Sequence, residues 1–432
     1  MESVNVNQFT EGPVRVHVIQ SKTYKTNTLV LHMRAPLTKE DHTKRALLPL
    51  VLQSGSKDFP TRQKIRQTLD GLYGASLTGD VNKKGENHLV SFKLEVANER
   101  YLKDDTPLLE EAFKMMTSVV ANPLLDGDGF KESILKSEKR NLKQRIESVY
   151  DDKIRYANMR LNEEMCQDEA YGLFVYGDAE ELDGISRESL YEYYQKVVQE
   201  DDLDLFVVGD VDVDQVKTLV KNHLTLPARS NDSKRVQEKK QEQKKMVEEN
   251  EVVEEQELKQ GKLHLGYRTN ITYQDDDYFA LQLFNGLFGG FSHSKLFINV
   301  REKASLAYYA ASRVESHKGL LMVMSGIETS NYEKALTIIR EQMEAMKNGD
   351  FEEEQLEQTK AVLKNQLLET MDAPRGLVEL MYHNELGSKK RELDDWIPNI
   401  EKVTKEDVVR VAEKIELDTI YFLKGTEGDS NE

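Results

Sequence analysis

Four blocks of this sequence occur twice, in the same order, and a chain that repeats itself in this way folds as two copies of one structural plan. Ala75-Ser76-Leu77 recurs as Ala304-Ser305-Leu306, each followed by a strand, a polar turn and another strand. Amphipathic stretches 106–120 and 331–346 come next, then long helices that open at Phe130 and at Phe351. Each copy closes on Ser186 or Thr404 as an N-cap, a helix, a short polar turn and a buried strand that ends at Gly209 or Gly425. The offset shrinks from 229 residues between Ala75 and Ala304 to 216 between Gly209 and Gly425, as duplication followed by small loop deletions would leave it. Chance likeness of amphipathic helices explains one such block, not four in order.

Within the first copy, residues 14–19 and 88–96 alternate as one-sided strands do, and 27–34 and 203–208 are further strand candidates. Helices are expected at about 43–54, 61–72, 106–120, 129–148, 151–166 and 186–198. Hairpins beside consecutive helices give an α+β fold: two tandem α/β sandwich repeats, each a largely antiparallel sheet with helices packed on one face. Residues 229–245 hold a single apolar side chain, Val236, and cannot bury enough surface to offset their ordering entropy. This predicts repeats at 1–228 and 246–432 joined by a charged linker at 229–245. A long surface helix within a single domain is the other reading of that stretch.

The composition narrows the function. Of 432 residues, 59 are basic and 77 acidic, a net charge of −18. That balance argues against a phosphate-binding surface, hence against nucleic acid, and against docking on anionic lipid. No apolar run reaches the ~18 residues of a membrane span, and the N-terminal stretch lacks the pattern of a secretory signal, so a cytoplasmic protein is expected. The one cysteine, Cys166, permits neither an intrachain disulfide nor a Cys-based zinc site, and its acidic surroundings blunt a thiolate. The nine histidines are scattered, with no two at the three-to-five-residue spacing that puts imidazoles on one helix face. No G-x-S-x-G elbow, Walker loop or Rossmann turn occurs. On chemistry alone, no residue pair stands out as a catalytic centre.

One stretch is specific. Residues 285–312 read NGLFGGFSHSKLFINVREKASLAYYAAS. This resembles the second-repeat signature of the insulinase/pitrilysin-type (inverzincin, M16) metallopeptidases: a Gly-rich turn, a Ser-x-Leu-Phe helix, then R-E-x-x-x-L-A-Y. Ser294, Leu296 and Phe297 supply the helix; Arg301, Glu302, Leu306, Ala307 and Tyr308 supply the rest, with Ser305 where the family has glycine. The likeness covers nearly the whole chain. It implies that active relatives carry H-x-x-E-H in the first repeat and a third ligand, a Glu, on a later helix. The matching positions here are Ala46, Pro49 and Leu50, and Arg145, seven after Glu138. None of the four can ligate zinc; a slip of alignment would offer Glu147 but not restore the first two ligands.

The resemblance therefore implies a zinc-free, non-catalytic subunit of the kind found in Gram-positive bacteria, with no cofactor of its own. Its partner would be a homologous chain that bears H-x-x-E-H and the zinc, and the pair would enclose an unfolded peptide held as an added strand. In active relatives an Arg and a Tyr of the second repeat bind the peptide backbone and stabilise the oxyanion; Arg301 and Tyr308 match them. Seven residues is two helical turns, so one helix face carries both if the helix runs through. The plainer reading is a helix-to-strand junction with Arg301 paired to an acid and Tyr308 in the sheet. Gly289 and Gly290 either allow close approach of peptide or make a tight turn. Two other functions stay open: a silent peptide-binding or structural protein, and an independent peptidase with unorthodox ligands.

Overall fold

The structure is a computed structural model that describes residues 5–103, 106–226 and 248–426. The charged linker expected at 229–245, and the repeat boundaries at 228 and 246 with it, lie outside the described residues.

In chain order the first half forms β1 (Asn5–Glu11), β2 (Val14–Gln20), β3 (Thr26–Pro36), α1 (His42–Leu52), α2 (Arg62–Gly71), β4 (Ser76–Lys84), β5 (Asn87–Ala97), α3 (Leu108–Ala121), the two-residue strands β6 (Leu125–Asp126) and β7 (Gly129–Phe130), α4 (Glu132–Asp151), α5 (Lys153–Met165), α6 (Arg187–Glu200), β8 (Asp202–Gly209) and α7 (Val213–His223). The second half forms β9 (Asn250–Gln256), β10 (Gly261–Arg268), α8 (Tyr278–Asn285), β11 (Ala307–Glu315), β12 (Leu320–Ile327), α9 (Tyr332–Lys347), α10 (Glu353–Met371), α11 (Pro374–Leu386), α12 (Leu393–Lys402), α13 (Lys405–Glu413) and β13 (Glu416–Gly425). The expected strands and helices of the first half are present to within a few residues. Not anticipated were β1, whose apolar residues do not alternate, and α7, although its Asp212 cap and its Val216, Leu219 and Val220 stripe were legible. The two N-caps read from sequence form full capping boxes: Ser186 with Ser189, and Thr404 with Asp407.

The chain folds into two compact units. The first takes the described parts of Met1–Ser148, Leu173–Gln237 and Met371–Leu380; the second takes those of Val149–Gly172, Glu238–Thr370 and Met381–Glu432. The first unit's sheet has the order β1-β2-β8-β3-β5-β4 and the second's the order β11-β12-β10-β13-β9. Among the described residues only β2 with β8, and β9 with β13, pair in parallel. From the parallel strand inward, β2-β8-β3-β5-β4 and β9-β13-β10-β12-β11 are one order with one set of directions; β1 is an addition. The repeat in the sequence is therefore a repeat of topology.

In the first unit, Val14, Val16 and Val18, then Leu29, Leu31 and Met33, then Val90, Phe92 and Leu94 enter a single apolar cluster with α1, α3 and α6. Spacing by two puts each set on one side of its strand, and that side is the one the helices cover. Three successive buried aspartates near the start of β8 are each matched by an arginine. Asp201 pairs with Arg45 at 2.5 Å, Asp202 with Arg34 at 2.5 Å and Asp204 with Arg15 at 2.6 Å. Pairing is what makes buried charge tolerable, and loss of one partner is costly.

Each unit also contains a helical piece from the other half of the sequence. In the second unit α5 lays Tyr156, Ala157 and Leu161 against Met322, Tyr421 and Leu423. Gly266 of β10 makes room for it: a Cβ there would lie 2.5 Å from the sulfur of Met165. In the first unit the N-terminal part of α11 bonds Glu379 to Lys84 at 2.9 Å, and Tyr24 donates to the carbonyl of Met371. Among the described residues no helix is long and apolar enough to cross a membrane.

Candidate functional site

In the first unit the positions that the family resemblance gives to metal ligands lie on α1 and α4. On α1, Ala46 is buried, Pro49 is buried and Leu50 is half-buried. The helix survives Pro49, and the Pro49 carbonyl still accepts from Gln53 N at 3.1 Å. Arg45, fully buried, anchors the helix through Asp201, Tyr193 and the carbonyls of Met33 and His88. Opposite Pro49 runs the edge strand β4. A Cβ on Gly79 would stand 3.3 Å from the Cβ of Pro49 and 2.8 Å from the Phe92 ring. Gln53 holds the same glycine by both backbone groups, at 3.2 and 3.0 Å.

The next residue, Asp80, receives Arg145 of α4 in a two-pronged pair at 3.0 and 2.9 Å. The Arg145 guanidinium also lies 4.2 Å over the ring of Tyr176. Through β4 the structure thus gathers the α1 positions and Arg145 into one place, and fills it with an apolar helix face and a neutralised cation. Three non-ligating side chains and a guanidinium do not fit a zinc ion. Glu138, seven residues before Arg145, is buried and taken up by Arg62 at 2.6 Å and Ser54 at 3.0 Å. Glu147, the alternative counterpart, is exposed.

Sequence inspection missed a second cluster one turn up α1. His42, 1% exposed, has Nε2 at 3.5 Å from Asp178 and Nδ1 at 3.8 Å from Glu181. Burial holds its pKa below the usual value against the pull of the two carboxylates. Lys39 pairs with both acids, and Thr43 donates to Glu181. With an ammonium already between the carboxylates, the cluster fastens the Asp178 segment to α1. The signal was invisible because Asp178 and His42 lie 136 positions apart in the chain.

In the second unit, Gly289 and Gly290 end one π-helical segment, Gly286–Gly290, and Arg301 lies in another, Phe297–Lys303. Gly289 is required by packing, since a Cβ would meet the backbone N of Ser312 at 2.7 Å. At Gly290 it would meet the Asn285 carbonyl at 3.0 Å. The Arg301 guanidinium rests 4.6 Å over the Phe297 ring and 3.6 Å from Glu302, and stays half-exposed. The helix does not run through to Tyr308, so the two residues do not share a helix face. Ser305, at φ 51, turns the chain with a left-handed residue, which is why glycine suits this position. Tyr308 then sits on β11, an edge strand, at a bulge: Ala307 pairs with Ile327 and Tyr309 with the adjacent Gly326, leaving Tyr308 as the extra residue. It is 71% exposed. Bulges re-aim side chains, and here the device presents a phenol to solvent.

A duplicated α+β sandwich with Ala46, Pro49, Leu50 and Arg145 where the family resemblance places metal ligands is the architecture expected of a metallopeptidase relative without a metal-binding box. Comparison with known proteins agrees. Residues 184–363 match the family described as "Peptidase M16 inactive domain". The chain is 53% identical to the "probable inactive metalloprotease YmfF" of Bacillus subtilis, over 100% of both chains. A conserved protein of Enterococcus faecalis has a crystal structure that superposes with a TM-score of 0.90 at 35% identity, covering 99% of this chain and 100% of that one. The peptidase M16 inactive domain of Pseudomonas fluorescens shares the fold, with a TM-score of 0.81 at 18% identity over 99% and 100% of the two chains. The chain belongs to the M16 metallopeptidase family and is of its inactive type.

Proposed function

We propose that this chain is the non-catalytic subunit of a cytoplasmic heterodimeric zinc endopeptidase. It forms part of a peptide-enclosing chamber and offers Arg301 and Tyr308 to the zinc site of a homologous partner bearing H-x-x-E-H. The observation that carries this reading is the contrast between the two units. The first has filled its metal position with apolar and ion-paired side chains. The second keeps an exposed tyrosine on an edge-strand bulge and, seven residues before it, a half-exposed arginine whose described contacts are Phe297 and Glu302. The edge strands β4 and β11 have unpaired sides that suit strand addition by an extended peptide. An oxyanion donor removed from a peptidase costs about 10²–10³ in turnover. Reconstitution with the partner, followed by Tyr308→Phe and Arg301→Ala, tests the reading. Turnover unchanged in both variants, with the complex intact, removes the catalytic role.

A second reading follows from those same edges: a silent peptide-holding protein, whose extended-peptide binding needs no partner and is indifferent to both substitutions.

A further inference from the structure

Two π-helical segments, Gly286–Gly290 and Phe297–Lys303, follow each other closely in the second unit. The wide turn is rare and recurs at functional sites. Both segments border one open cavity of about 490 Å³, lined on its other sides by α9, the turn after it and the start of α10. A floor of Leu287, Ile298 and Phe351 is apolar.

Several polar side chains line the walls. Asn299 Nδ2 donates to Gln342 Oε1 at 2.7 Å. The Asn299 carbonyl oxygen and the Gln342 amide N–H₂ are not used in that bond, and an acceptor with a donor is what one peptide unit requires. Gln355 accepts from the backbone N of Glu352 at 3.0 Å, so its own N–H₂ stays available. Lys295 and Lys303 face the same space, and among the described residues neither forms an ion pair. Lys295 is half-buried, and burial lowers its pKa against the attraction of the nearby Asp350 carboxylate. Lys405, bonded to the Phe351 carbonyl, adds positive potential from the neighbouring side. The carboxylates of Asp350 and Glu341 are exposed.

We propose that this cavity binds the C-terminal end of a peptide, with the carboxylate at Lys295 and Lys303, the last peptide unit at Asn299 and Gln342, and an apolar side chain on the Leu287–Ile298–Phe351 floor. The proposal does not depend on Arg301 and Tyr308 serving a partner, and its test uses this chain alone.

Calorimetric titration of the full chain with Ala-Leu-Ala, its C-terminal amide and acetate distinguishes the contributions. The free acid binds with a Kd at or below about 1 mM, and amidation weakens it by about tenfold or more, as loss of a charge-assisted pair does. Lys295→Met, which keeps the aliphatic stem, and Lys303→Gln each reproduce that loss for the acid and leave the amide unchanged. Unaltered melting of both variants shows that the fold is kept. Equal binding of acid and amide, no binding of either, or acetate as tight as the tripeptide each overturns the proposal.

Discussion

Arg145 and Asp80 face each other across α4 and β4, with Nη1 donating to Oδ1 at 3.0 Å and Nη2 to Oδ2 at 2.9 Å. An ion pair thus stands where the family resemblance places a metal-ligating glutamate. The cation at this position is internally balanced, since it has its own acid.

The pair is partly exposed, Arg145 by 37% and Asp80 by 44%, so its contribution is modest. A double-mutant cycle with Arg145→Gln and Asp80→Asn gives a coupling of about 1 kcal/mol or less in urea unfolding. Arg145→Glu sets two carboxylates together and is more destabilising than Arg145→Gln. A more stable Arg145→Glu chain contradicts the pairing.

Stability falls with acid because of buried neutral histidines. His264 on β10 is fully buried, neither ring nitrogen has a hydrogen-bond partner among the described residues, and desolvation takes its pKa down to about 3. In the unfolded chain the same ring titrates near its ordinary value of about 6.5. The folded state therefore binds fewer protons between those limits, and the stability present above about pH 6.5 is lost as pH falls towards 3, with a limiting slope of about 1.4 kcal/mol per pH unit. His32, lowered to about 4 by burial, adds to the loss down to that pH. Unfolding curves of the wild type and His264→Leu at pH 7 and pH 5 check this: the variant has the shallower dependence.

Ser305 adopts φ 51, a left-handed conformation that costs a side-chain-bearing residue about 1 kcal/mol. Ser305→Gly raises the unfolding free energy by up to about that amount, offset in part by the freer unfolded chain. Ser305→Val lowers it. Thermal melts of the two variants move in opposite directions.

Tyr308 is 71% exposed, and no hydrogen bond to its phenol is present among the described residues. Tyr308→Phe leaves the stability of the isolated chain within about 0.5 kcal/mol of the wild type. Any loss of turnover in a reconstituted pair is then chemical in origin and not a consequence of unfolding.

Gly289→Ala is the converse case. The added carbon meets the Ser312 backbone at 2.7 Å, which cannot yield cheaply, and overpacking of this kind costs about 1–3 kcal/mol. The glycine-rich turn thus has a packing requirement whatever peptide passes it.

The sequence alone determined the duplicated plan, most helices and strands of the first half, and the capping boxes at Ser186 and Thr404. These are local properties: periodicity, end signals and side-chain chemistry are written over a few consecutive residues. Tertiary structure alone decided that α5 belongs to the second sheet, that Asp80 neutralises Arg145, that His42 meets Asp178 and Glu181, and that Tyr308 leaves a bulge instead of a helix. Each of these is set by packing. The helix that seemed able to carry Arg301 and Tyr308 stops because Ser305 turns left-handed to bring β11 beside β12, and no count of residues along the chain contains that long-range pairing.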